Sequence, residues 1–569
     1  MGVPLNFSKK INSPEISKWI FLLILLGIVG TYTYFKVKLQ IELGPVSDTF
    51  DLLSNAALFA GKGFGYADLN RPPILSVLTS LFFVFDNLSI WPIYVVDGLL
   101  FVLGCVGLYL FLKERFEPLM SFIGALLFVT FPLVLTFAAV GYNDVSGVAV
   151  AIWAMYLTYL AVNKDSKYFL LSFPMAIVAF LTRFNNALII FPIFLYILIN
   201  KDKIKSSKNI LVGMLLSALI LIPLFLFFNA KFANPLYPFL SFFQSSGGTG
   251  YAASTEHFAY NPDLLYFIKN MPVYIAAQSA VIIVFTAICF AVHLFRMWKK
   301  SRSGEKSWSI NIKNFKTNYK LPLLLLLIFI FLISFGKIHY ILSEVIFFFL
   351  AYVGFLIAQD HKMDLNMDML FFAWFMAFFI FQSVYVAKDH RYFITMYAPL
   401  AYFLVRGLLW ATSELKVDFK GKNITKYFIA LVLVLMMLLS VFTQYTAIEE
   451  ANQQNKLFNQ ESIQTSNWIK NNVPDYKSKV IYADFPSYFA WYLQMDVKQM
   501  PFYKNKEKLY AGGTRDLNLT PEDYVLFKTE LERDNPDYYI SLVWARMNFT
   551  SNYEEAQKIG SVIIFKKIN

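Results

Sequence analysis

Long apolar runs separated by short basic loops fill this chain from residue 19 to residue 445, and a polar stretch of some 120 residues follows. A helix rises 1.5 Å per residue, so about 20 apolar residues cross the ~30 Å hydrocarbon core of a bilayer. On that measure 13 spans are expected: Trp19–Tyr34, Ile90–Leu112, Leu119–Ala138, Val145–Val162, Tyr168–Leu181, Ala187–Ile199, Ile210–Phe228, Val273–Phe295, Leu321–Phe335, Tyr340–Ala358, Met369–Ala387, Phe393–Trp410 and Tyr427–Tyr445. The run Ile74–Phe85 has only 12 residues, about 18 Å of helix.

Whether Ile74–Phe85 crosses decides the sidedness of everything after it. If it lies at the interface, Lys113, Arg115, Lys164, Lys167, the run from Lys201 to Lys208, the patch from Arg296 to Lys306 and the group from Lys416 to Lys426 all share the side of the N-terminus. Cytoplasmic loops carry the excess of Lys and Arg. The expectation is therefore a cytoplasmic N-terminus (1–18), a membrane domain (19–445) and an extracellular C-terminal domain (446–569), in a multi-pass protein of the plasma membrane. The N-terminal lysines followed by an apolar run with no small-residue cleavage site read as a retained signal anchor.

The tail reads as a small α/β domain. Helical periodicity covers Gln460–Asn471 and Pro521–Arg533, and strand patterns occur at Val480–Tyr482, Tyr538–Val543 and Val562–Phe565. Gly512-Gly513 stands alone and reads as a turn, not as a phosphate-binding loop.

Composition agrees with the pattern: 57% of the 569 residues are hydrophobic, 18% aromatic and 15% charged. The net charge of +12 sits in short loops, so it reads as a topology signal and excludes nucleic acid as a partner. Two cysteines inside apolar runs, Cys105 and Cys289, support neither a disulfide framework nor a thiol metal site. The five histidines show no ligand spacing, so no metal site is assigned.

With this topology the polar residues converge on the outer face. The loop Gly44–Pro73 carries Asp48, Asp51, Asp68 and Arg71. Asn143-Asp144, Arg183, the long loop 229–272 and Lys388-Asp389-His390-Arg391 lie on the same side. Asp48 stands beyond the expected end of the first helix, where it could also cap the helix Thr49–Ala60; Asp144 could likewise cap the helix from Val145. Asp97 and Glu344 lie inside apolar spans, where ionisable residues are functional candidates. Ser245–Gly250 has the composition of a loop that orders around substrate.

Three stretches carry a family resemblance: the Asp48…Arg71-Pro72-Pro73 loop, Asn234-Pro235-Leu236-Tyr237-Pro238, and His390-Arg391-Tyr392. Together they resemble the GT-C superfamily of lipid-phosphosugar-dependent glycosyltransferases, in particular family 39, the aminoarabinose transferases and the protein mannosyltransferases. The chain departs from that pattern at Asp48-Thr49, where many relatives carry Asp-Glu, and at Ala233, where Gly is usual. The resemblance implies a polytopic GT-C fold with an external catalytic loop (40–89). It also implies inverting transfer of a sugar from a polyprenyl or dolichyl phosphate to a hydroxyl on a protein, glycan or lipid acceptor.

By the same resemblance Asp48 is the base, with Asp144 a second carboxylate facing it. Arg71, Arg391 and Arg183 hold the phosphate, with His390, Tyr392, Asp51, Asp97 and Glu344 as further substrate contacts. No cofactor is required by it, and a divalent metal is compatible with it. A transporter or lipid flippase, or a non-catalytic scaffold of the same fold, are the alternatives; inverted repeats with broken helices, the mark of many transporters, are not evident.

Overall fold

The computed structural model describes residues 14–85, 87–240, 263–302, 319–385, 388–415, 417–419, 422–500, 502–504, 507–509, 520–542 and 552–568. The Ser245–Gly250 run, the Gly512-Gly513 turn and the N-terminal lysines up to Lys10 lie outside the described residues.

In chain order the helices that carry the membrane domain are α1 (Pro14–Leu43), α2 (Ser47–Phe59), α3 (Ile74–Phe85), α4 (Trp91–Leu112), α5 (Pro118–Val129), α6 (Pro132–Phe137), α7 (Asn143–Asn163), α8 (Phe169–Thr182) and α9 (Ile190–Ile199). They continue through α10 (Ser207–Phe232), α11 (Tyr266–Lys269), α12 (Met271–Tyr274), α13 (Ala277–Arg302), α14 (Lys320–Ser334), α15 (Tyr340–Asp360), α16 (Asn366–Val384), α17 (Tyr397–Glu414) and α18 (Ile424–Ala451). Among the described residues nine helices are long and apolar enough to cross a membrane. The other expected spans are helical but shorter: α5, α8 and α14, and α9 with the 3-10 turn Phe184–Ile189 before it.

Three boundaries differ from the sequence expectation. Helix α1 runs nine residues past Tyr34 to Leu43, with Lys36 and Gln40 both buried. Asp48 therefore follows the first helix by five residues, not by the 14 that separate it from Tyr34. Leu119–Ala138 is not one helix: Pro132 has no N–H to continue α5 and instead opens α6. His390–Met396 is a 3-10 turn leading into α17.

Helix α3 does not stand alone. It packs against α2 and α4 through Leu75 and Phe83, and Ser76 Oγ donates to the Leu52 carbonyl at 2.9 Å. A short apolar helix tied laterally in this way covers a neighbour and need not reach across a bilayer.

After α18 the chain continues into α19 (Gln453–Asn472), a five-stranded sheet, α20 (Pro486–Leu493) and α21 (Pro521–Asp534). Two small antiparallel pairs, β1 (Asp418–Phe419) with β2 (Lys422–Asn423) and β5 (Phe502–Lys504) with β6 (Glu507–Leu509), stand apart from the sheet. The sheet is built of β3 (Ile481–Ala483), β4 (Lys498–Gln499), β7 (Tyr538–Leu542), β8 (Tyr553–Ile559) and β9 (Val562–Lys567) in the order β4-β3-β7-β9-β8, with β3 parallel to β4 and β7, and β9 antiparallel to β7 and β8. Strand β8 reads Tyr-Glu-Glu-Ala-Gln-Lys-Ile and has one largely exposed face. Its few apolar residues hid it from the sequence pattern. Helix α21 opens with a capping box between Thr520 and Asp523.

This C-terminal unit shares its apolar core with α2, α3 and the start of α4. Phe50 on α2 is fully buried, with its ring 4.3 Å from that of Tyr488 and 5.5 Å from that of Tyr492 on α20. Gly44 adopts φ +83 between α1 and α2, and a Cβ there would meet Asn459 of α19 at 2.8 Å. Asn459 in turn donates to the Pro45 carbonyl at 2.8 Å. The α1–α2 turn is thus held from both sides.

Phe50→Ala should lower stability by about 3–5 kcal/mol, read as a clear drop in the thermal unfolding midpoint in detergent. Phe85→Ala, at a side chain 91% exposed, should leave the midpoint nearly unchanged.

Candidate functional site: a carboxylate–guanidinium network

Helix α2 begins at Ser47 with Val46 at the N-cap and no side-chain cap. Asp48 therefore lies inside the first turn and does not cap it, and its carboxylate is free to face the loop and α17. Arg71 Nη2 donates to Asp48 Oδ1 at 3.0 Å and to Asp51 Oδ2 at 2.8 Å, while Arg71 Nε donates to Asp68 Oδ2 at 3.0 Å. From the far end of the chain, 343 positions away, Arg391 Nη1 donates to Asp48 Oδ2 at 2.8 Å. Each oxygen of Asp48 thus faces a different arginine.

The network continues on α7 and after α8. Asp144 lies in the first turn of α7, again without capping it, and its Oδ1 lies 2.8 Å from Arg183 Nη2 as an ion pair. Its other oxygen is 3.9 Å from Arg391 Nη1. Arg183 is buried, and its Nη1 has no hydrogen-bond partner. The Arg183 guanidinium stands 5.7 Å from the Tyr392 ring centre, and that of Arg391 stands 5.4 Å from the Tyr142 ring. Asp389 fixes Arg391 further, accepting from its backbone N–H at 2.9 Å and lying 3.1 Å from Nε.

These contacts set the protonation of the loop carboxylates. Burial works to raise Asp48, but the charges of Arg71 and Arg391 and their hydrogen bonds hold it below the ordinary carboxylate value. Asp51 is pushed up to about 7, chiefly by burial, with Asp68 and Asp48 adding to the shift and Arg71 and the Tyr66 hydrogen bond opposing it. Tyr66 OH donates to Asp51 Oδ1 at 2.8 Å. Two carboxylates one helical turn apart are thereby driven in opposite directions.

Of the sequence candidates, Asp48, Asp51, Arg71, Asp144, Arg183, Arg391 and Tyr392 come together. Asp97 lies beneath them, fully buried, with Oδ2 accepting from Gly141 N–H at 3.0 Å and Oδ1 unpartnered. It supports the Gly141 turn. His390 turns away: its Nδ1 lies 2.9 Å from the Tyr274 hydroxyl and its Nε2 3.4 Å from that of Tyr266. Glu344 is buried in α15 with neither oxygen hydrogen-bonded, and no group of the network bonds to it.

Sequence reasoning did not single out Tyr66, Tyr142 or Lys36. Lys36 is fully buried with its Nζ unpartnered; the signal was a Lys and a Gln four residues apart, on one face of the helix. Among the described residues no group of three or more His, Cys, Asp or Glu side chains is arranged to hold a metal ion.

The family model described as dolichyl-phosphate-mannose-protein mannosyltransferase matches residues 70–227. Among curated proteins none matches the chain in sequence. Among solved structures the chain is similar to ArnT from Cupriavidus metallidurans bound to undecaprenyl phosphate, with a TM-score of 0.55 and 12% identity over 96% of this chain and 97% of that one. The apo state of the same enzyme gives a TM-score of 0.54 and 12% identity over 95% and 97%. The chain thus shares its fold with ArnT over nearly the whole length of both chains.

A raised Asp51 makes a testable pH effect. Unfolded, this carboxyl releases its proton near 4; folded, near 7. Between those values the folded state binds the extra proton, so stability falls as pH rises through this window. The thermal midpoint of the wild type should drop from pH 5 to pH 7.5 by more than that of Asp51→Asn, measured in the same detergent.

Proposed function

We propose that this protein transfers a sugar from a polyprenyl phosphate to an acceptor hydroxyl, with inversion, on the outer face of the membrane. The observation that carries the proposal is the double grip of Arg71 and Arg391 on Asp48, in a fold similar to one seen with undecaprenyl phosphate bound. The loop basic residues favour the same sidedness, with α2, α3 and the C-terminal domain outside.

Chemically, a sugar phosphate needs no acid to depart once the charge on its phosphate is countered. The acceptor oxygen attacks the anomeric carbon from the face opposite the phosphate, the carbon–oxygen bond to phosphate breaks, and the acceptor proton passes to Asp48. The resulting phosphate keeps both electrons of that bond, and guanidinium forks suit its oxygens. Arg183 has a donor free for such an oxygen at Nη1. Arg391, which touches both Asp48 and Asp144, exchanges a carboxylate partner for the phosphate as donor binds. Partial burial strengthens each of these attractions relative to water.

Asp48 stays ionised because its pKa is lowered, so it is ready to accept a proton at any physiological pH. Its low basicity suits a late proton transfer, after the bond to phosphate has largely broken. Asp51 orients Arg71 by a shared Nη2.

Membranes containing the wild-type protein should transfer radiolabelled sugar from a polyprenyl-phosphate donor. Arg391→Ala should lower kcat by about 10²–10³-fold in the same assay, and Arg183→Ala should raise the donor KM more than it lowers kcat. Wild-type transfer with undiminished rates in both variants would refute the phosphate assignment.

A further inference from the structure

Away from the network, a cleft of about 380 Å³ opens where the first loop meets the C-terminal sheet. One wall is Phe64; the other is formed by Val480 and Ile481 at the start of β3, by Gln494 to Asp496 after α20, and by Lys498 on β4, the edge strand of the sheet. Lys477 and Lys479 complete the rim. Three lysines and one aspartate, Asp496, are thus the charged residues of its lining.

The cleft is built into the fold. Phe64 packs edge-on against Trp491 with ring centres 6.1 Å apart. Gly65 has φ +103, and a Cβ there would come within 3.0 Å of the Asp496 Cβ, so the loop lies directly on the 494–496 turn. Lys498 stands 6.0 Å from the Tyr482 ring centre, and Lys479 is 3.1 Å from Asp475. Each ammonium has three donors, so these contacts leave capacity toward a ligand. Lys477 and Lys498 are exposed.

It is also joined to the network. Tyr66, which holds Asp51, follows Phe64 by two residues, a reach of at most about 7 Å of chain. A molecule seated on Phe64 therefore lies one short loop away from the carboxylates.

We propose that this cleft binds an anionic saccharide, as the acceptor of the transfer proposed above, on which its role as acceptor rests. The size falls within the ~300–1,000 Å³ of small-molecule sites. The half-buried Phe64 ring offers a surface for a sugar ring, and the lysines pair with carboxylate, sulfate or phosphate substituents. A cleft with one prevailing sign of charge also concentrates such ligands from solution.

The test uses the full-length protein in nanodiscs of neutral phosphatidylcholine, with trigalacturonic acid, maltotriose and hexaglutamate as probes. Trigalacturonic acid should bind, more weakly as salt rises, and maltotriose and hexaglutamate should bind far less. The Lys477→Gln/Lys498→Gln double variant should lose at least about tenfold in Kd for trigalacturonic acid. Lys528→Gln, on α21, should not change it. In the transfer assay the double variant should raise the KM for an anionic acceptor and leave the donor KM unaltered.

Equal binding of maltotriose, preference for hexaglutamate, or an unchanged Kd in the double variant would overturn the cleft assignment. Lysine-dependent binding in a protein that transfers no sugar would uphold the saccharide site and overturn the transfer reading with the acceptor role. Transfer with an unchanged acceptor KM would overturn the acceptor role and leave the transfer reading in place.

Discussion

A charge removed from water near a bilayer is costly unless it is paired or neutralised, and the site of this protein is organised by pairing. Asp48 is only 21% exposed and Arg183 only 9%. Unpaired, either would be costly to bury; paired, they lock distant parts of the chain together. Arg71 joins α2 to its following loop, Arg391 joins α2 to the start of α17, and Arg183 joins the end of α8 to α7. Removing one partner would leave its counterpart buried and alone, which is why the network behaves as a unit and not as separate bridges.

Apolar packing makes that pairing possible. The α1–α2 turn is fixed by Gly44 and Asn459, and Thr49 Oγ1 donates to the Val140 carbonyl at 3.1 Å, which places the α2 carboxylates against the Gly141 turn. The aromatic contacts of Phe50 with α20 then close α2 beneath the C-terminal sheet. The C-terminal unit is consequently a structural wall of the site as well as an appended domain, and the lysine-rimmed cleft sits on that shared seam.

Much of this was legible in the sequence, and for definite reasons. Apolar runs announce spanning helices because few residues with charge can be tolerated in hydrocarbon, and among the described residues nine helices are long and apolar enough to cross a membrane, with the remaining runs forming shorter helices. Asp48, Arg71, Asp144, Arg183 and Arg391 stood out as charges beside such runs. What stayed hidden was set by tertiary contact. Hydropathy ended α1 at Tyr34, because an inward-facing Lys36 and Gln40 read as polar termination. Asp48 and Asp144 looked like caps, since capping residues are defined by local sequence while their real partners are arginines far along the chain. His390 and Arg391 are adjacent in sequence, yet a 3-10 turn sends one side chain to Tyr274 and the other to Asp48. Tyr66 gave no signal at all, because a hydroxyl bonded to a carboxylate 15 positions earlier leaves no periodic trace.

The most direct measurement is sugar transfer from a radiolabelled polyprenyl-phosphate donor by Asp48→Asn, alongside binding of the same donor. Asparagine keeps the shape and a hydrogen-bonding oxygen for the arginines but cannot take up the acceptor proton at neutral pH. Loss of transfer by about 10²–10⁴-fold with donor binding retained is the predicted result. Transfer at the wild-type rate would contradict Asp48 as the base and the account built on it.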